Sequence, residues 1–575
     1  MTVPELERLR SAGVLASVDV HLGRWLSRAG ASPEACLAGA LASRAVREGH
    51  VCVDLADLRG PVADADGEPV EGLRWPDWSG VAGDPVVALD GPAAPDARPL
   101  VSQGTRVYLS RYHDHERALA AGLAQLARPV PVDAPVLDEG LLALFGPDAA
   151  SADQREACRT AVTQGLAVIS GGPGTGKTHT VARLVALIGQ QRRRRGLSCR
   201  VRLLAPTGKA AARMLEALQG QVPELPEAYR AELPERASTI HRALGSIGGT
   251  RTRFRHGRSH PLPDDVVVVD EASMVDLALM RRLVDAVRPD AHLVLLGDRH
   301  QLASVESGAV LGEIIEAAEA HPEATIGRSV ALLRHSFRFD IHGGIGALAE
   351  AVREGRVGDA IDVLRRGGSL EWLQRDPPHR LDGPVGRAIA GGFGPLLRSD
   401  TPADALAALA RFRVLCAHRR GPWGVEGLNA AIEQRLAPLG LAASASWYAR
   451  RPVMVTANDY RQELFNGDQG VAMPGPRGLR VVLAGEVERS LAPTRLVAIE
   501  TVFALSIHKS QGSEYEHVLI VLPDASSPLL SRELLYTAIT RAKKRVTVVG
   551  DEAALAAAIQ RPLRRTSGLG ERLQG

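Results

Sequence analysis

The stretch Gly171-Gly172-Pro173-Gly174-Thr175-Gly176-Lys177-Thr178 constrains this chain more than any other part of it. It has the form GxxxxGK[ST]. It stands between an apolar run at 166–170 and a segment that places Val181, Leu184, Val185 and Ile188 on one helical face. A buried strand that passes through glycines into a helix belongs to an α/β layer, with the helix packed back across a parallel sheet. The glycines let backbone N–H groups converge on a phosphate, and the helix N-terminus adds positive potential there. The pattern therefore predicts a nucleoside triphosphate at this loop, with Lys177 on the β- and γ-phosphates and the Thr178 hydroxyl on Mg2+.

Other apolar runs without alternation lie at 201–205, 266–270 and 292–297, and a second set at 412–416, 517–522 and 545–549. Helical patterns separate them. Such runs describe parallel strands covered on both faces, and two sets predict two α/β domains. A chain of 575 residues has room for about three to five domains. Residues 1–128 mix helical patterns with polar loops and predict an N-terminal domain that is α/β or mostly helical. The proline-rich stretch at 128–135 reads as a linker. The first α/β domain is placed at 138–330 and the second at 331–575, with turn signals marking a small β-rich insert near 452–505.

The run Val266-Val267-Val268-Val269 ends in Asp270-Glu271. Acids at the end of a buried strand, in a chain that already has a phosphate loop, predict Asp270 beside the Mg2+ and Glu271 orienting or deprotonating water. The basic residues support this reading. Of 69 lysines and arginines only Lys177, Lys209, Lys509, Lys543 and Lys544 are lysine. A lysine retained in so arginine-rich a chain is a candidate for a compact point charge on phosphate.

Composition closes off other classes. No apolar run reaches the roughly 18 residues a membrane span needs, and the first residues lack a signal-peptide core, so a cytoplasmic protein is expected. The five cysteines are scattered without a CxxC pair, which argues against a disulfide framework, a zinc site or an iron–sulfur cluster. Aromatic residues make up 4% of the chain, so backbone tracking is favoured over extensive base stacking if the partner is a nucleic acid.

From 150 to 550 the chain resembles the superfamily-one DNA helicases, with many motifs in the family's order. Asp153-Gln154-Arg155 lies upstream of the phosphate loop, where the family's adenine-reading glutamine sits. Leu204-Ala205-Pro206-Thr207-Gly208-Lys209 and Ser238-Thr239-Ile240-His241-Arg242 resemble DNA-contact motifs. Gly297-Asp298-Arg299-His300-Gln301 resembles the motif whose glutamine senses the γ-phosphate. Ser336-Phe337-Arg338-Phe339 resembles the one that brings an arginine from the second domain. Ser506-Ile507-His508-Lys509-Ser510-Gln511-Gly512-Ser513-Glu514 and Leu535-Tyr536-Thr537-Ala538-Ile539-Thr540-Arg541 complete the set.

The resemblance implies two RecA-like domains with ATP between them, where Arg338 and Arg541 reach the nucleotide only when the cleft closes. It also implies single-stranded and tailed duplex DNA running across both domains past Thr207, Lys209, Thr239, His241, His508 and Lys509. The stretch Arg251-Thr252-Arg253-Phe254-Arg255-His256-Gly257-Arg258, inside a basic insert near 246–262, occupies a position where related helicases contact DNA. The run Arg192–Arg195 reads instead as a solvated loop.

Within the superfamily the closest likeness is to the RecD family, the alpha subunits of exodeoxyribonuclease V, through the stretch at 451–471 and the later motif at 507–515. That likeness implies a 5′→3′ motor working beside RecB and RecC in double-strand-break processing, with residues 1–128 docking the partners. No separate Asp/Glu/Lys cluster suggests a nuclease, so any cutting is expected from another subunit. The alternatives are a stand-alone helicase of the same branch and a non-catalytic ATP-binding subunit.

Overall fold

The computed structural model describes the chain apart from residues 1–2, 64–68, 92–97, 231–232, 248–252, 339–342, 378–379, 444, 460, 463, 477, 485–488 and 575. Phe339, Arg251 and Thr252 of the motifs above lie outside the described residues.

The N-terminal part is α/β. Helices Val3–Ser11, Ser17–Arg28 and Pro33–Arg47 pack beside a four-stranded sheet of Val53–Asp54, Arg106–Leu109, Leu100–Gln103 and Val87–Leu89, in that order. The helix that follows, Ser110–Leu126, leaves this part. Its Leu119, Leu123 and Leu126 are buried in one core with Met280, Leu283 and Val284 of the next domain. The two helices are in close contact at Gly122, where a Cβ would meet the Val284 side chain at 2.5 Å. The proline-rich linker is also docked: Val130 N donates to Thr163 O at 2.7 Å, and Asp133 caps the helix Ala134–Phe145.

The first motor sheet has six parallel strands in the order Val330–Leu333, Leu166–Gly171, His292–Gly297, Val266–Val269, Val201–Ala205 and Ala237–Thr239. Val266 to Val269 are completely buried, which is why their sequence does not alternate. The second sheet has five parallel strands in the order Leu370–Leu373, Ala542–Val549, Tyr515–Val521, Phe412–Cys416 and Ala504–Ser506. Between Phe412–Cys416 and Ala504–Ser506 in the chain an antiparallel sheet inserts, with the order Arg489–Leu491, Gly478–Leu483, Gln469–Gly475, Pro452–Val455 and Ile499–Thr501.

Several expected boundaries move. Val330–Leu333 is an edge strand of the first sheet, so a division at 330/331 cuts through a hydrogen-bonded strand. The insert ends at Thr501, because Ala504–Ser506 pairs in parallel with Phe412–Cys416. Arg192 to Arg194 are the last turn of the helix Lys177–Arg194 rather than a loop. Cations suit a helix C-terminus, and Arg192 lies 3.0 Å from the buried Asp265. The described part of the basic insert is folded down as well. Phe254 packs on the first core 5.8 Å from His241, and Arg258 pairs with Asp285 at 2.6 Å.

The chain's end does not stay with the second sheet. After the helix Glu552–Gln560 it crosses to the N-terminal part, where Leu569 and Leu573 enter the first core. Arg572 is held by Glu116 at 3.0 Å and Asp90 at 2.8 Å, and Gly568 N donates to Glu116 at 2.9 Å. The Glu116 side chain is fully buried. Removing one partner of such a pair strands a charge in low dielectric, so Arg572→Met is expected to lower unfolding free energy by about 3 kcal/mol in a denaturant titration. A change near zero would show that the strap does not hold the ends of the chain together.

Candidate nucleotide site and DNA cleft

The phosphate loop is shaped by backbone conformations that only glycine adopts freely. Gly174 and Gly176 both have φ 80, and Lys177 starts the helix that follows. The Lys177 ammonium donates to Gly171 O at 2.6 Å and Gly172 O at 3.1 Å. The lysine thus folds over the same loop that would cradle the anion. Thr178 occupies the next helical position. Gln154 is buried, and its Nε2 donates to Thr175 O at 3.2 Å, beside Gly176, so the glutamine and the loop are brought together.

Asp270 ends the strand Val266–Val269 and accepts a hydrogen bond from Glu271 N at 2.9 Å. Burial and the neighbouring Glu271 push its carboxyl up to about 6, while Lys177 pulls the other way. Glu271 has φ 51, a left-handed conformation that strains a side chain with a Cβ. Strain of this kind, on the order of 1–3 kcal/mol, persists where surrounding structure enforces it.

The two sheets meet directly beside this loop. Arg541 is 3% exposed and donates to Gln301 Oε1 at 2.9 Å across the boundary. Leu302 N donates to Thr537 Oγ1 at 2.8 Å, Gln511 Nε2 donates to Leu302 O at 3.0 Å, and Tyr536 OH donates to Asp298 at 3.1 Å. Tyr536 also stands against Gly172 of the phosphate loop. Tyr536, Thr537 and Gln511 carry no role in the sequence reading, although Thr537 shares a helical face with Arg541 four residues on.

Arg338 departs from expectation. It does not sit in the second sheet's domain but on the chain leaving the first sheet's edge strand, where Phe337 N donates to Gly174 O at 2.9 Å. Its guanidinium reaches the second domain at Glu514, 2.7 Å away. Two partners from opposite domains therefore fix it: the phosphate loop holds its backbone and Glu514 holds its charge.

On the far side of the same boundary lies a cleft of about 720 Å³. Thr207, Lys209, Thr239 and His241 line one wall, and Phe465, Asn466, Gln469 and Arg489 of the insert region line the other. Thr207 and Thr239 are helix caps, accepting from Ala210 N and Arg242 N at 3.2 Å each, so each places a helix N-terminus at the cleft. Burial depresses Lys209, and burial likewise lowers His241. His508 and Lys509 are not brought here. They form a short turn after the strand Ala504–Ser506, and Lys509 pairs with Glu500 at 2.7 Å. His508 is lowered by burial and by Arg565 of the C-terminal strap.

Three family models match the chain: the RecBCD enzyme subunit RecD N-terminal domain at 11–108, an AAA domain at 154–307, and the UvrD-like helicase C-terminal domain at 501–549. The RecBCD enzyme subunit RecD of Mycolicibacterium smegmatis is 44% identical over 98% of this chain and 98% of its own length. That of Haemophilus influenzae is 34% identical over 73% of this chain and 72% of its own length. The ATP-dependent RecD2 DNA helicase of Deinococcus radiodurans is 32% identical over 80% of this chain and 58% of its own length. With near end-to-end identity at that level, and with the phosphate loop, the acidic pair and the bridging arginine in the arrangement described, the chain belongs to the RecD family.

Proposed function

We propose that this chain is the 5′→3′ motor subunit of a RecBCD complex, drawing single-stranded DNA through the cleft while ATP is hydrolysed between the two sheets. It is an ATP-dependent DNA helicase. The observation that carries the reading is the Arg541–Gln301 contact, which joins the second sheet's arginine to the first sheet's nucleotide motifs at 2.9 Å. Lys177 and the loop N–H groups hold the phosphates, and Glu271 orients the attacking water. Arg541 and Arg338 neutralise charge that develops on the γ-phosphate.

Mg2+ fits the residues present. Thr178 and Asp270 offer hard oxygen donors, and a divalent cation would offset the burial and the Glu271 repulsion that raise Asp270. Thr178 and Asp270 would hold it, and it would supply positive charge against the phosphates. DNA contacts from Thr207, Lys209, Thr239 and His241 favour the backbone over base edges, giving affinity without sequence preference. Partner docking belongs to the N-terminal part, with RecB and RecC as partners. No helix of the described residues is long and apolar enough to cross a membrane.

Unwinding of duplexes with a single tail tests this reading. With Mg2+ and ATP, a 5′ tail is expected to be required. Equal unwinding from a 3′ tail would overturn the polarity, and a folded chain that hydrolyses ATP on single-stranded DNA but unwinds only with RecB and RecC would place the motor inside the assembly.

A further inference from the structure

The loop that follows Gln301 is fastened from two sides. Gln301 and Leu302 face the second domain, through Arg541, Thr537 and Gln511. Residues 304–308 meet the N-terminal part and the C-terminal strap instead. Gly308 N donates to Gly49 O at 2.9 Å, and the Ser307 hydroxyl donates to Val46 O at 3.1 Å. The first domain itself adds the bond from Leu277 N to Ser307 O at 3.1 Å. The buried Ser304 hydroxyl donates to Glu306 O at 2.9 Å and Gly308 O at 3.0 Å, which draws the loop closed on itself.

Arg565 of the strap stands at this junction. Its Nη1 donates to Glu48 O at 3.1 Å and its Nη2 to Ser304 O at 3.2 Å, so one guanidinium spans the N-terminal part and the loop. Burial pulls its pKa down, and no carboxylate pairs with it among the described residues. A cation buried without a counter-ion is unfavourable, and what it provides here is geometric: a planar fork that reaches two carbonyls at once. The surroundings are shaped to it. Gly49 has φ 90, and a Cβ there would fall on the Arg565 guanidinium. The next strap residue is docked too, since Thr566 N donates to His50 Nδ1 at 2.9 Å and Val51 N donates to Thr566 O at 2.8 Å.

We infer that Arg565 is a positioning residue for the nucleotide site: by holding Ser304 O against Glu48 O it fixes the loop that carries Gln301. The inference rests on the proposed ATP site and deepens it. The placing of Gln301 against the γ-phosphate becomes a joint property of the first sheet, the N-terminal part and the strap. A residue about 260 positions from Gln301, in a segment without any motif, then bears on how the site tells a triphosphate from a diphosphate.

The test compares equilibrium binding of ADP and of β,γ-imido-ATP, with Mg2+ and single-stranded DNA present, using the full chain, or the complex if the chain purifies only with its partners. Arg565→Ala is expected to lower the preference for the triphosphate analogue over ADP by about fivefold or more, within the usual range of coupling between sites, while ADP affinity stays the same. Arg565→Lys keeps the charge but reaches one carbonyl at a time, and is expected to recover part of the preference. In a Gln301→Ala background Arg565→Ala should change the preference no further, because the two act as one unit. An arginine that only stabilises the fold would weaken both nucleotides together or reduce the active fraction; an Arg565→Ala protein with an unchanged preference overturns the inference. If Arg565→Ala does not fold, Arg565→Gln, which keeps a donor for one carbonyl, decides by the same ratio. Lys177→Gln run alongside separates the two claims, since nucleotide binding untouched by that variant sinks the ATP site itself rather than the role of Arg565.

Discussion

Replacing Lys177 with glutamine is expected to reduce ATP turnover by roughly 10²–10³-fold with the fold intact, measured as steady-state phosphate release with saturating single-stranded DNA. Glutamine keeps most of the length and a donor but removes the charge. That charge is already positioned: Nζ lies 2.6 Å and 3.1 Å from two loop carbonyls, and these weak partners exchange for phosphate oxygens without a change in the backbone. The loop conformation is held by Gly174 and Gly176, not by the lysine. Stability should therefore change by no more than about 1 kcal/mol, since the side chain is only partly buried. Turnover within tenfold of wild type would remove Lys177 from the site.

A larger loss is expected at Arg541. An arginine that completes a phosphoryl-transfer site from a second domain is worth roughly 10³–10⁵ in turnover. Arg541 is preorganised for this by Gln301 Oε1 at 2.9 Å, Ser513 O at 3.3 Å and Thr537 O at 3.3 Å. Arg541→Ala should abolish turnover while leaving ADP affinity within a few-fold, because ADP lacks the γ-phosphate. It also leaves Gln301 Oε1 and Ser513 O unpaired in the seam, at about 1–3 kcal/mol of stability. Arg541→Lys separates the two effects, keeping the charge but not the fork that reaches Gln301 and Ser513 together. Full activity in Arg541→Lys would mean that a point charge suffices there and that the Gln301 contact is incidental.

The sequence made some of this legible for physical reasons. Strands buried on both faces cannot alternate, so Val266–Val269 and Phe412–Cys416 stand out as apolar runs with boundaries close to the observed ones. The phosphate loop was legible because its glycines set the local backbone and Lys177 follows them at a fixed spacing. What escaped was set by distant parts of the chain. Val330–Leu333 is short and half-buried, and only its pairing with Leu166–Gly171 assigns it to the first sheet. The four-arginine run looked solvated because Asp265, its partner, lies about seventy residues further on. His508 and Lys509 adjoin the seam residues Ser510 to Glu514 in sequence, but the turn directs Lys509 to Glu500. The C-terminal strap has no motif at all. Its anchors, Glu116 and Asp90, are more than 450 residues away, and no periodicity reports such a contact.

The strain at Glu271 was equally invisible. Its φ of 51 follows from the sharp exit of a fully buried strand, and only coordinates show it. The Arg213–Glu514–Arg338 group follows the same pattern. Arg338 and Glu514 come from two motifs read separately in the sequence and Arg213 from a helix outside both, and their meeting at one carboxylate oxygen is a property of how the two domains face each other.

In the proposed mechanism one nucleotide is completed by both sheets of a single chain. Mixing two inactive variants tests it most directly: Lys177→Gln, which lacks the phosphate lysine, and Arg541→Ala, which lacks the bridging arginine. ATP turnover is then followed across a range of total concentrations at a fixed ratio. If Arg541 acts on the nucleotide held by its own chain, every molecule in the mixture lacks one half of the site and turnover stays at the level of the separate variants. Turnover that reappears on mixing and grows with concentration would show the arginine serving another copy's nucleotide, and would contradict the cleft described here.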